Sequence, residues 1–164
     1  MTVNPGIAIR PFKPENQEAV KTLILAGLAE HWGTLDLTRN PDLDDIGRSY
    51  TGSVFLVAWL GQRVVGTGAL VPHAGGVGEI VRMSVAADLR RRGVGRLILQ
   101  NLVEQAKACG LHRVILETTA AWKDVVLFYL RCGLRITHYQ DGDVYFVLDL
   151  AGYEKDTILM RENV

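Results

Sequence analysis

The chain has 164 residues, 48% of them hydrophobic, which is enough for one domain to bury a self-sufficient core, and a single domain over residues 1–164 is expected. Lys plus Arg and Asp plus Glu both number 18, so the chain offers no global field suited to nucleic acid or to an anionic membrane. Pro5, Gly6, Arg10 and Pro11 interrupt any early apolar run of the signal-peptide kind, and no apolar stretch is long enough to span a bilayer. Cys109 and Cys132 lack CxxC spacing and a disulfide-rich context, which makes a reducing cytoplasm the default expectation.

In chain order, Ile7 to Arg10 reads as a short strand. Pro14 then opens a helical pattern through Val20, Leu23, Ile24, Leu28 and His31, and Gly33 stops it. Residues 34–52 are polar, are punctuated by Pro41, Gly47 and Gly52, and read as a cover containing one short helix. Asp36, Asp42, Asp44 and Asp45 suit an acidic helix start better than a metal site, since no His or Cys ligand is near. Val54 to Leu60 and Arg63 to Val71 are β-rich runs around a Gly61-Gln62 turn, the pattern of a hairpin. Pro72 to Gly78 is expected to break the pattern before a strand from Ile80 to Val85.

From Val94 the apolar positions Leu97, Ile98, Leu102, Ala106 and Cys109 share one helical face, with Gly110 placed as a C-terminal cap. Val114 to Leu116 reads as a buried strand, Ala121 to Arg131 as a short helix stopped by Gly133, and Leu134 to Tyr139 and Val144 to Leu150 as a closing pair of strands turned at Asp141-Gly142-Asp143. The tail from Gly152 to Val164 shows no clear period and is open to pairing with a second copy, which keeps a homodimer in view, or to fraying. The alternation of strands and helices implies an α/β (α+β) mixed sheet with helices on both faces.

Arg90-Arg91-Arg92-Gly93-Val94-Gly95-Arg96 lies between a strand and a helix. Two glycines let the backbone approach an anion, the helix start presents unpaired N–H groups, and the arginines add charge and forked donors. The alternative is a solvated basic turn. A phosphate-binding GxxxxGK followed by Ser or Thr is absent, and so is a three-glycine dinucleotide fingerprint near the first strand.

The Arg-x-x-Gly-x-Gly spacing of Arg90 to Gly95, preceded by Met83-Ser84-Val85, resembles motif A of the GNAT superfamily of acetyl-CoA-dependent N-acetyltransferases. Leu127-Phe128-Tyr129-Leu130-Arg131-Cys132-Gly133-Leu134 resembles that superfamily's late Leu-Tyr…Gly-Phe signature, and the order of elements agrees over nearly the whole chain. The resemblance implies a mostly antiparallel central sheet of about seven strands. It also implies acetyl-CoA as co-substrate, with no metal and no covalent intermediate, and an amine acceptor. Main-chain groups of Met83, Ser84 and Val85 would pair with the pantetheine arm, and those of Arg91 to Arg96 would form an anion nest, with Val94 packed in the core and the arginine side chains on the diphosphate.

Acetyl transfer needs a neutral amine. Deprotonating a lysine-like amine of pKa ~10.4 costs about 4.6 kcal/mol at pH 7, an α-amine near ~8 only about 1.4 kcal/mol. The resemblance makes Glu79, six residues before Val85, the general base and Tyr129 the acid that protonates the departing thiolate. Glu79-x-x-Arg82-Met83-Ser84-Val85 is similar to members that acetylate amino acids or small amine conjugates, which would let Arg82 hold a substrate carboxylate. Strict alternation puts Glu79 and Arg82 on opposite faces unless a bulge intervenes near Met83. Trp122 stands where the superfamily often has Asn, and Val125 where Ala is usual; packing is the expected role of Trp122. His31, His73, His112 and His138 form no paired metal spacing, and surface or core duty is expected of them. A small-molecule amine is the expected acceptor, with protein or peptide acetylation, or a non-catalytic acyl-CoA sensor, as alternatives.

Overall fold

The computed structural model describes residues 6–33 and 36–154. The elements are β1 (Ile7–Pro11), α1 (Gln17–Trp32), α2 (Ile46–Ser49), β2 (Val54–Leu60), β3 (Arg63–His73), β4 (Val77–Val85), α3 (Val94–Ala108), β5 (Arg113–Thr119), α4 (Lys123–Arg131), β6 (Arg135–Gln140) and β7 (Asp143–Asp149). This is the order expected from the sequence. The strands form one seven-stranded sheet in the order β1-β2-β3-β4-β5-β7-β6. Every described neighbour pair is antiparallel except β4–β5. That parallel pair is joined through α3, as a crossover requires.

Two cores divide the faces. Ile80, Val114, Leu116, Phe146 and Leu148 pack with Ile98, Leu99 and Leu102 of α3 and Tyr129 of α4. On the other face Val20 and Ile24 of α1 meet Val57 and Ala69, closed by Leu43 and Ile46 of the cover. Gln17 ties the cover to α1: its Nε2 donates to the Leu43 carbonyl at 2.7 Å and its Oε1 accepts from Ile46 N at 3.0 Å.

The acidic residues of the cover hold it together. Asp36 accepts from Thr38 N and Asp45 from Arg48 N, and Asp44 pairs with Lys21 at 2.9 Å. Each of these carboxylates caps a turn or meets a cation, and the expected short helix is α2.

The break expected over Pro72 to Gly78 is narrower than the sequence implied, confined to residues 74–76. β3 runs through Pro72 to His73, β4 starts at Val77, and Pro72 lies opposite Gly78. Gly78 is there for space: a Cβ would meet Leu70 Cδ1 at 2.7 Å and Leu111 Cδ1 at 2.8 Å. Gly75 and Gly76, at φ +80° and +74°, turn the hairpin. The C-terminal tail lies outside the described residues from 155 onward.

Two glycines of β3 let α3 sit close to the sheet. A Cβ at Gly68 would come within 2.7 Å of both Ile98 Cγ2 and Met83 Sδ and 2.9 Å of Leu102 Cδ1. Gly68→Ala is therefore expected to destabilise by about 1–3 kcal/mol through overpacking, read as a lower urea midpoint at unchanged slope.

Candidate active site

β4 is the strand on which the site is built. It pairs with β3 along its length, but with β5 only where Val77, Gly78 and Glu79 align with Arg113, Val114 and Ile115. Beyond Glu79 the two strands diverge, since β5 continues to Thr119 paired with β7 alone. Among the described residues, the β5-facing edge of β4 from Ile80 to Val85, which includes Met83, Ser84 and Val85, is thus free of strand pairing. An unpaired edge inside a cleft is a template for an extended amide-bearing chain.

At the open end stands the glycine loop. Arg91 has φ +61° and Gly93 φ +83°, and α3 begins at Val94 with no side-chain cap. Left-handed residues on either side of Arg92 are the kind of backbone from which anion nests are made, and the uncapped first turn of a 15-residue helix adds its own donors and dipole. Val94 is buried in the core, and a Cβ on Gly95 would stand 3.3 Å from Phe128 of α4. Arg91 and Arg92 are exposed and Arg96 is half-buried. Arg90 is engaged from the side: its Nη2 lies 2.7 Å from Glu30 Oε2, and its Nε donates to the Val85 carbonyl at 3.4 Å. This bond ties the last turn of α1 to the loop and holds the Glu30 carboxyl below its usual pKa.

The bulge is present. Between Thr67 and Ala69 on β3 stands only Gly68, while between Val81 and Ser84 on β4 stand Arg82 and Met83. Arg82 takes φ +55°, and its carbonyl accepts a 2.8 Å hydrogen bond from the hydroxyl of buried Thr67. The extra residue cancels alternation. Glu79 and Arg82 line one cavity of about 410 Å³ together with Asp42, Tyr50, Val81 and Glu117.

In that cavity the Arg82 guanidinium is held by the cover. Nε and Nη2 donate to the two Asp42 oxygens at 2.9 and 2.6 Å, and Nη1 donates to Asn40 Oδ1 at 3.1 Å. Tyr50 donates to Asp42 Oδ2 at 2.7 Å. Partial burial resists the Asp42 charge, but the Arg82 and Tyr50 bonds outweigh it and keep the carboxyl below its usual pKa. Burial and the same bond push the Tyr50 phenol up to about 12. Sequence reasoning did not pair Arg82 with Asn40 and Asp42, or Asp42 with Tyr50, because Asp42 and Asn40 lie 40 and 42 residues from Arg82 and only the fold joins them.

Glu79 is half-buried, and its Oε1 lies 3.0 Å from His73 Nε2. His73 was also missed as a partner; its only signal was its place six residues before Glu79 across a glycine turn. Tyr129 is buried on the inner face of α4 against Phe128 and Phe146. Burial, with Cys132 adding, lifts its phenol well above the usual value, so it stays protonated through neutral pH. Trp122 packs, as expected, stacked on His31 at 4.2 Å and edge-on to Trp32 at 5.2 Å.

An unpaired strand edge, a glycine-turned loop at a helix start and a carboxylate where the strands part lie together along β4. A family model described as Acetyltransferase (GNAT) family matches residues 18–134, and the chain belongs to that family. The protein named "Uncharacterized N-acetyltransferase YjgM" of Escherichia coli (strain K12) is 27% identical over 82% of this chain and 85% of its own length. Among solved structures, an acetyltransferase of the GNAT family from Staphylococcus aureus Mu50 superposes with a TM-score of 0.81 at 20% identity, covering 88% of this chain and 99% of that one. A PaiA N-acetyltransferase from Thermoplasma acidophilum in complex with coenzyme A gives a TM-score of 0.77 at 17% identity, covering 87% and 98%. The family uses acetyl-CoA as donor. Among the described residues, no helix is long and apolar enough to cross a membrane.

Because Asp42 has a folded-state pKa below its unfolded value of roughly 3.9, its contribution to stability is present above that value and lost as pH falls through the folded pKa. Asp42→Asn is expected to cost about 1–2 kcal/mol at pH 7, discounted for partial exposure, with the gap to wild type closing below about pH 4 in thermal melts.

Proposed function

We propose that the protein transfers the acetyl group of acetyl-CoA to a primary amine of a small molecule, an amino acid or amine conjugate, by direct attack in a ternary complex. The observation that carries this reading is the cleft itself: a β4 edge left unpaired from Ile80 onward, with a carboxylate at its apex and an anion nest at its mouth. Backbone groups of Met83, Ser84 and Val85 take the pantetheine amides, and the main chain from Arg91 to Arg96, including Gly93, Val94 and Gly95, takes the diphosphate. The side chains of Arg91, Arg92 and Arg96 neutralise it, while Arg90 acts from its bond to Glu30.

Glu79 accepts a proton from the acceptor's ammonium, and the freed nitrogen attacks the thioester carbonyl. A C–N bond forms and the C–S bond breaks. Tyr129, kept protonated by burial, gives its proton to the departing thiolate, and the second proton that the nitrogen sheds as the amide forms passes through water to restore the Tyr129 phenol. A main-chain N–H near Val85 meets the charge that develops on the carbonyl oxygen. A thiol of pKa near ~8.5 leaves readily, so the acid contributes less than the base.

The Arg82 fork is filled by Asp42, so an acceptor carboxylate reaches it only by exchange for the Asp42 carboxylate. If acceptors use it this way, Asp42→Asn raises kcat/KM for carboxylate-bearing amines relative to their amides; an unchanged ratio removes Arg82 from acceptor recognition.

With acetyl-CoA and a panel of amines, turnover is expected for small amines ahead of peptides. Glu79→Gln should lower kcat/KM about 100-fold at pH 7 and recover toward wild type at high pH, where a lysine-like amine of pKa ~10.4 sheds its own proton. Tyr129→Phe should lower kcat about five- to tenfold with little change in KM. Binding of acetyl-CoA without turnover of any amine would favour the sensor alternative.

A further inference from the structure

We infer that His73 drains the proton from Glu79 to solvent, which makes the pair a two-station relay; this rests on Glu79 serving as the base. Glu79 lies opposite Val71 in the β3–β4 register, and His73, two residues on, projects from the same face as its diagonal neighbour. The ring nitrogen Nε2 and the carboxylate oxygen are 3.0 Å apart. This contact depends on β3 running past Pro72 and on the glycine turn at Gly75 and Gly76 that brings β4 straight back.

Exposure rises along the pair, as a relay needs. The Glu79 side chain is 30% exposed and lines the acceptor cavity, while the His73 side chain is 48% exposed and does not line it. Other groups around the pair are Glu117 from β5, the Arg82–Asp42 ion pair with Tyr50 across the cavity, and His112 and Arg113 at the base of the hairpin. On the cavity side Arg82 is paired with Asp42, so its charge is largely spent there rather than on Glu79.

The step moves one proton and no electrons. His73 starts neutral with the proton on Nδ1. The O–H bond of protonated Glu79 breaks, an Nε2–H bond forms, and the Nδ1 proton passes to water, which leaves Glu79 ionised for the next acceptor. Exchange with solvent returns the ring to its first tautomer.

The test is steady-state kinetics with acetyl-CoA and an accepted amine across pH 5 to 9. His73→Ala is expected to lower kcat about five- to fiftyfold, to leave KM for acetyl-CoA within twofold, and to move the acid limb to lower pH, since His73 no longer has to be neutral. Added imidazole should restore kcat in His73→Ala. His73→Gln, which keeps a hydrogen bond to Glu79 but carries no proton at neutral pH, should stay slow. Wild-type kcat with an unshifted acid limb in His73→Ala, or full kcat in His73→Gln, would overturn the relay. A slow Glu79→Gln beside a fast His73→Ala defeats the relay alone, whereas a fast Glu79→Gln defeats the base assignment itself.

Discussion

Three residues of parallel pairing, Val77 to Glu79 against Arg113 to Ile115, join the two halves of the sheet, and the rest of the site depends on their stopping there. A strand that continued its pairing would satisfy its own edge and close the cleft. Instead β5 turns its remaining length to β7, and α4 is held against the start of α3 where Phe128 meets Gly95. The polar edge left on β4 is costly if buried dry, at about 1–3 kcal/mol for each unsatisfied group, so it must meet water or an extended ligand. A chain with amides at intervals answers that need.

The bulge at Arg82 brings Glu79 and Arg82 onto the wall of one cavity. A non-glycine residue at φ +55° carries about 1–3 kcal/mol of strain, which persists only where the surroundings hold it. Here Thr67 takes the rotated carbonyl from within the core, and Asp42 and Asn40 take the side chain from the cover. The cover, itself tied to α1 through Gln17 and Lys21, is thereby locked to the strand that lines the cleft. Gly27 completes the fit: a Cβ there would stand 3.1 Å from Ser84 Oγ, so α1 crosses β4 at close range next to the proposed donor seat.

What the sequence made legible were the features carried by local backbone chemistry. The Arg90 to Gly95 loop reads through glycine and a helix start, and the Val54 to Val71 hairpin through two β-rich runs and a two-residue turn. What it hid were features that local rules describe wrongly. Pro72 and the glycines after it carry the signal of a break, yet Pro72 continues a strand and Gly78 makes room for Leu70 and Leu111. That misreading concealed His73, whose link to Glu79 exists only if the strand persists. Arg82 was legible as a charge in an apolar strand, but its partner Asp42 lay in a segment whose acidic residues all looked alike. The fold separates their roles, with Asp36 and Asp45 capping turns, Asp44 pairing with Lys21, and Asp42 holding the wall.

Electrostatics in the cavity set two demands that conflict. With Arg82 neutralised, the carboxylates of Glu79 and Glu117 dominate the field, and at neutral pH most amines arrive as ammonium ions that this field attracts. An ammonium about 4 Å from a carboxylate near a protein surface gains roughly 4 kcal/mol, close to the ~4.6 kcal/mol needed to deprotonate a lysine-like amine at pH 7. The attraction that recruits the acceptor therefore also resists its activation by a comparable amount. Passing the proton to Glu79 removes that opposition only while the proton stays off the nitrogen, and a protonated Glu79 has lost the charge that draws in the next amine. In the proposed relay, a ring at 3.0 Å with an exposed far side would answer both demands, because it would empty Glu79 outward and away from the acceptor.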